Sequence, residues 1–364
     1  METFDDIRPY TDAELPQAMQ RIASWDMFPQ VLRFIYPDMS ADEGRERLLA
    51  CHTIHQFQAT FMNDAIRRII AETITEFTFS GLNNLRRGEP YLFVSNHRDI
   101  TLDAFLLQYL LIHHRGDTSH IVFGENLLSL PIIEVLFRSN KLIRMERGGS
   151  PRAFYNSLHH LSEYINYLIA DQRHSVWIAQ KNGRAKDGVD RTAPAVVKMF
   201  TLGSPLPPQE ALDRLHIVPM SISYEWDPCD TMKATELALS RQGTYHKAEG
   251  EDLRSVVTGI IGAKGHVHLH IGTPLKAKEL NPSTGEDLFE HVAEVIDRRI
   301  ADGYRLMGTN YAAHSLLTGR LHPGRYTQRT LDRLKVRAAA LPTDEMRRLL
   351  LEAYAAPVYA TRHK

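Results

Sequence analysis

The segment Leu92-Phe93-Val94-Ser95-Asn96-His97-Arg98-Asp99-Ile100-Thr101-Leu102-Asp103 sets a histidine among hydroxyl, amide and carboxylate groups, directly after an apolar run. The run reads as a strand and the amphipathic pattern from Asp99 reads as a helix, so His97 falls at a strand-to-helix corner. An imidazole at such a corner stands clear of the sheet. A carboxylate on one ring nitrogen fixes the tautomer and leaves the other nitrogen to take a proton from a hydroxyl. Asp103 and Asp99 are the two acids within reach. Asp103 lies six residues after His97, and on a straight helix only neighbours at three and four share a face. Asp103 therefore meets His97 only if the histidine precedes the helix proper. Asp99 competes with it, and the spacing alone leaves the two open. The plainer reading of these residues is a cap: Ser95 or Asn96 closing the helix end, with Asp99 favouring its dipole.

Two basic clusters follow. Arg138, Lys141, Arg144 and Arg147 surround a short apolar stretch at 142–145, with Arg152 beyond. Lys181, Asn182, Gly183, Arg184 and Lys186 form a glycine-containing loop after another apolar stretch. Glycine lets backbone N–H groups approach an anion, and arginine grips phosphate with two parallel bonds. Arg98, beside His97, is a further candidate. Charge runs are commonly solvated faces. Here, however, both loops sit at strand ends, as His97 does, and ligands of α/β sheets gather at the carboxyl ends of strands.

The elements that must position these residues alternate. Strands are expected at 73–82, 91–95, 120–124, 142–145, 176–179, 216–224 and 266–271. Helices are expected over most of 1–72 and at 99–113, 127–139, 150–171, 193–201, 231–262 (with a break near Gly243), 284–302 and 325–355. Strands alternating with helices imply an α/β core. The expected division is a helical N-terminal extension at 1–72, an α/β domain at 73–310 and a basic helical tail at 311–364. The 364 residues are enough for a large core, and 43% hydrophobic and 24% charged residues are ordinary for a globular protein. A net charge of −1 argues against a nucleic-acid binder. Cys51 and Cys229 alone provide no disulfide framework and suit a reducing compartment. No hydrophobic leader opens the chain, and Ala104–Ile112 is far shorter than the ~20 residues of a spanning helix. The expectation is a cytoplasmic protein.

The order SNHRD…LD, NKLIRMER, NGR-KDG and IVPMSISYE resembles the glycerol-phosphate acyltransferase superfamily over about residues 75–310. The branch it resembles is the bacterial 1-acylglycerol-3-phosphate acyltransferases. That resemblance implies a mixed sheet flanked by helices, with helical N- and C-terminal extensions. It implies transfer of a fatty acyl group from acyl-CoA or acyl-carrier protein to a hydroxyl of a glycerol phosphate or lysophosphatidate, with no cofactor or metal. It makes His97 the general base, with Asp103 as its orienter. Arg144, Arg147, Lys181 and Arg184 would hold the acceptor's phosphate, and the Asn182-Gly183-Arg184 motif would sit beside it. Two departures stand out. The acid of the first motif is one residue further along than the family pattern, and Asn182 stands where a glutamate is usual.

His266, His268 and His270 alternate on an expected strand and share a face. A metal there would need other ligands, and a half-exposed polar strand face is the preferred reading. Basic residues from Arg320 to Arg348 make the tail amphipathic, which suits either a helix packed on the core or peripheral contact with the inner face of a membrane. Two other classes of function remain. One is a catalytically weak phospholipid-binding protein on the same fold, suggested by Asn182. The other is a phosphoester-processing enzyme, for which no nucleophile is evident.

Overall fold

An apolar run with no polar alternation must be covered on both faces, and the run at 92–95 becomes the middle of a seven-stranded sheet. The computed structural model describes residues 4–127, 131–146 and 148–360. Its strands are β1 (Ile74–Ser80), β2 (Leu92–Ser95), β3 (His120–Gly124), β4 (Leu142–Met145), β5 (Val176–Ala179), β6 (Ile217–Tyr224) and β7 (Gly265–Ile271). They lie in the order β1-β7-β6-β2-β5-β3-β4. Every neighbouring pair is parallel except β6 with β7, so the sheet is mixed.

Helices α1 (Leu15–Ala23), α2 (Phe28–Ile35), α3 (Ala41–Leu49), α4 (Ile54–Phe57) and α5 (Asn63–Thr73) precede β1. A π-helical turn at Gln58–Met62 joins the last two. Between the strands run α6 (Leu102–Arg115), α7 (Pro131–Arg138), α8 (Pro151–Ala170), α9 (Pro194–Leu202), α10 (Pro208–Arg214), α11 (Asp230–Arg241) and α12 (Glu251–Ile261). After β7 come α13 (Leu288–Gly303), α14 (Gly308–Thr318), α15 (Gln328–Ala339) and α16 (Asp344–Ala360). Side chains alternate across each strand. Leu92 and Val94 therefore join a core under α8, α9 and α13, while Phe93 joins one under α5 and α6.

One pairing in the sheet is incomplete. β2 and β5 stay in register to Ser95↔Ala179, and β3 and β4 to Gly124↔Met145. Between β5 and β3, however, only His120↔Val176 and Ile121↔Trp177 pair. The sheet therefore forks at its carboxyl edge, between Ile178 and Ala179 on one side and Val122 to Gly124 on the other.

The helix expected from Asp99 starts at Leu102 instead, because residues 96–101 spend their hydrogen bonds on side chains and on neighbouring strands. The tail is three helices rather than one. Two of its cations reach the body of the protein, Arg337 pairing with Asp230 and Arg333 lying 4.3 Å over the Trp226 ring, while Arg320, Arg325, Arg329, Lys335 and Arg348 stay on an exposed basic face. Leu334, Leu350 and Tyr354 build a further core with Trp226. Among the described residues no helix is long and apolar enough to cross a membrane.

Candidate active site

β2 ends at Ser95, and the next residue pins it to β6. The Asn96 amide donates to the Ile222 carbonyl at 3.1 Å and accepts from the Ile222 N–H at 2.8 Å. His97 follows in open loop, five residues ahead of the start of α6. Asp99 closes that loop by accepting from the N–H groups of Thr101 (3.0 Å) and Leu102 (2.9 Å). Burial, then the neighbouring Asp103 charge, pushes the Asp99 carboxyl up from its ordinary range.

Asp103, in the first turn of α6, is wholly buried and collects four donors. Its Oδ2 accepts from His97 Nδ1 at 2.9 Å, from the Arg98 N–H at 2.5 Å and from the Asp99 N–H at 2.9 Å. Its Oδ1 accepts from the Tyr224 hydroxyl at 2.9 Å. A buried carboxylate is tolerated only when so surrounded. Burial pushes the Tyr224 hydroxyl well above its ordinary value, so it stays a donor. Because a carboxylate only accepts, the His97 proton belongs on Nδ1 and Nε2 is the basic nitrogen. The His97 ring lies edge-on to Trp177 at 5.9 Å.

His97 borders a cavity of about 890 Å³. Lys181, Asn182, Gly183 and Arg184 stand at its edge with Lys186. The Ala185 N–H donates to the His97 carbonyl at 2.7 Å, which ties this loop to the histidine. Gly183 takes φ +76°, a backbone state that favours glycine. Arg184 Nη1 is buried with no hydrogen-bond partner among the described residues. Lys181 Nζ donates to the Val189 carbonyl at 3.0 Å, and Lys186 pairs with Glu236.

Other expected ligands lie elsewhere. Arg98 points away from the cavity: its guanidinium donates to Asp190 at 2.5 Å and to the Gly188 carbonyl at 3.0 Å, and lies over Tyr304. It is drawn there because a buried cation needs a carboxylate. Arg144 pairs with Glu125 at 3.0 Å and does not border the cavity. Arg147 lies outside the described residues. Asp99 caps the helix rather than touching the histidine. The three histidines of β7 do share a face, and their rings hydrogen-bond to Thr78 and Ser80 of β1 at 2.7–3.1 Å. Among the described residues no group of three or more metal-ligating side chains is placed to hold an ion.

Sequence reasoning missed Tyr224 and Trp177. Tyr224 sits 121 residues from Asp103 in sequence. Only its place in the alternation of β6, two residues beyond Ile222 on the face towards α6, hinted at it.

Residues 76–223 match the family model described as Acyltransferase, less than half of the chain but all of β2 to β5 and the site loops. The chain carries an acyltransferase-family domain. That domain holds His97, Asp103 and the 181–188 loop, while Tyr224 falls just beyond the match and the tail helices lie more than 80 residues past it. Among solved structures the chain is similar to the 1-acyl-sn-glycerophosphate (LPA) acyltransferase PlsC from Thermotoga maritima. The two are 16% identical over 79% of this chain and 94% of that one, with a TM-score of 0.37. So low a score carries neither fold nor substrate across. No curated protein sequence matches the chain.

Proposed function

We propose that the acyltransferase domain moves a fatty acyl group from a thioester, acyl-CoA or acyl-carrier protein, to a hydroxyl of a glycerol phosphate or lysophosphatidate in phospholipid synthesis. The observation that carries this is His97, with Nδ1 held by the buried Asp103 and the ring at the edge of a large apolar cavity. Nε2 takes the hydroxyl proton as the oxygen attacks the thioester carbonyl. The carbon–sulfur bond then breaks, and the proton passes to the leaving thiolate, so no acyl-enzyme forms. Asp103 keeps the ring in the reactive tautomer and steadies the imidazolium. The unpartnered Arg184 Nη1 suits the acceptor's phosphate, with Lys181 beside it. Apolar walls suit the acyl chain and exclude water from the thioester. Such an enzyme would meet its lipid at the inner face of a membrane that it does not need to span.

A second reading keeps the fold and drops the chemistry. Asn182 carries no charge where the resembling family usually has a glutamate, which suits a phospholipid-binding protein with weak turnover. The deciding assay follows thiol release from long-chain acyl-CoA or acyl-carrier protein with lysophosphatidate, glycerol 3-phosphate or a non-phosphorylated alcohol, beside an active reference enzyme. Acceptor-dependent release that disappears in His97→Ala supports acyl transfer. Silence with every pair favours the binding protein.

A further inference from the structure

The cavity beside His97 occupies the fork between β3 and β5, and its walls show which face of the sheet it reaches. Ile121, Phe123 and Trp177 point into the core under α6. Val122 and Ile178 point into the core under α8 and α9. All five line this one cavity. Because successive strand residues face opposite ways, the cavity passes through the fork and has an arm on each side of the sheet. One arm runs under α6 and α7, past Phe105 and Phe137; the other runs under α8 and α9, past Leu158 and Met199. Both are walled by apolar side chains. The polar lining lies at the carboxyl edge of the fork, where Lys181 to Arg184 directly follow β5 and His97 follows its neighbour β2, and continues in a charged rim of Glu236, Lys247, Glu251 and Asp252.

A single chain entering at that edge fills one arm and leaves the apolar walls of the other without contacts, the state in which an apolar cavity takes up an apolar ligand. We infer that the two arms hold two hydrocarbon chains at once, that of the thioester donor and one already carried by the acceptor. This deepens the acyl-transfer reading and rests on it: the acceptor becomes a single-chain lipid drawn wholly into the protein, rather than free glycerol phosphate. The reacting groups meet where the chains diverge, beside His97.

The test is binding, read by native mass spectrometry and equilibrium dialysis on the full-length protein. The probes are 1-palmitoyl lysophosphatidate and an S-hexadecyl phosphopantetheine thioether, the unreactive core that acyl-CoA and acyl-carrier protein share. The expected result is a ternary complex with one of each. Val196→Trp plugs the α8–α9 arm and Ala104→Phe the α6 arm. Each should weaken one probe at least tenfold and spare the other, with the two variants affecting different probes. Leu158→Trp and Phe105→Trp repeat the two plugs should either first variant fail to fold. Absence of a ternary complex, or both plugs weakening the same probe, overturns the inference. Because binding is read without turnover, a silent thiol-release assay counts against acyl transfer alone.

Discussion

Asp103 is where the candidate site is most sensitive to a single atom. Its two oxygens serve four donors and are shielded from solvent, so each replacement has a separable effect. His97→Ala removes the base and should lower kcat roughly 10²–10⁴-fold with the fold intact. Asp103→Asn presents an amide that can donate to Nδ1, which moves the ring proton to Nε2. By analogy with the same change in a catalytic triad, kcat should fall by about 10⁴. Single-turnover acyl transfer measures both. Tyr224→Phe leaves one carboxylate oxygen with fewer donors and should cost about 1–3 kcal/mol of stability, read from the urea midpoint. A loss of activity in Asp99→Asn as large as that in Asp103→Asn would contradict the placement of the two acids. The histidine at a strand-to-helix corner could be read from the chain, because the corner is a local pattern. Asp103 was favoured by the family resemblance against its six-residue spacing, and the fold sets it on His97 Nδ1 at 2.9 Å because the histidine precedes the helix. Tyr224 could not be read, since its partner is brought to it by the fold.

At the level of elements, the strands were readable to within a residue or two at each end, because β-branched apolar runs bounded by turns have few alternatives. Helix starts were less so. The six residues from Asn96 to Thr101 have helix-compatible types, yet they are drawn out by Asp99, Asp103 and β6. α10 and α14 were not expected: one begins inside a proline-rich stretch, and the other, Gly308–Thr318, has no charged face to mark its period. The histidines of β7 were correctly placed on one face, and what the sequence could not show is that β1 meets them with hydroxyls. Burial, then the positive Arg305, lowers the His268 pKa to about 4. A histidine takes up its proton near 6.5 in the unfolded chain. Between those values the unfolded state binds more protons, so stability falls as pH drops from about 6.5 towards 4, by at most ~3 kcal/mol. His268→Gln should flatten the decline in urea midpoint between pH 7 and pH 5. An unchanged slope would mean that the ring is protonated in place.

Across the whole molecule, the tail packs on the core, the reading its sequence favoured over membrane contact, and it is a brace behind the site. Lys233 of α11 donates to the Arg98 carbonyl at 2.6 Å and pairs with Asp227. The Tyr354 hydroxyl of α16 donates to Asp230 at 2.8 Å and accepts from the Asp227 N–H at 3.0 Å. α16 thus supports, through α11, the peptide next to His97. It also presses on the second site loop: a Cβ at Gly188 would lie 2.0 Å from the Ala353 carbonyl oxygen, and Gly188 has φ +75°. None of this is visible in local pattern, because the partners lie more than 100 residues apart. Gly188→Ala meets two obstacles, a left-handed backbone costing about 1–2 kcal/mol and a rigid carbonyl in the way of the new carbon. The loop and α16 must separate, which loosens the hold of Asp190 and Gly188 on Arg98 and so the seat of His97. The expected outcome is a Tm lower by several degrees and kcat down at least tenfold. The changes should come with protease cleavage near 181–190 while the sheet's circular dichroism is kept. A Gly188→Ala protein with full kcat and a resistant loop would show that the tail merely covers the domain and does not hold its site in place.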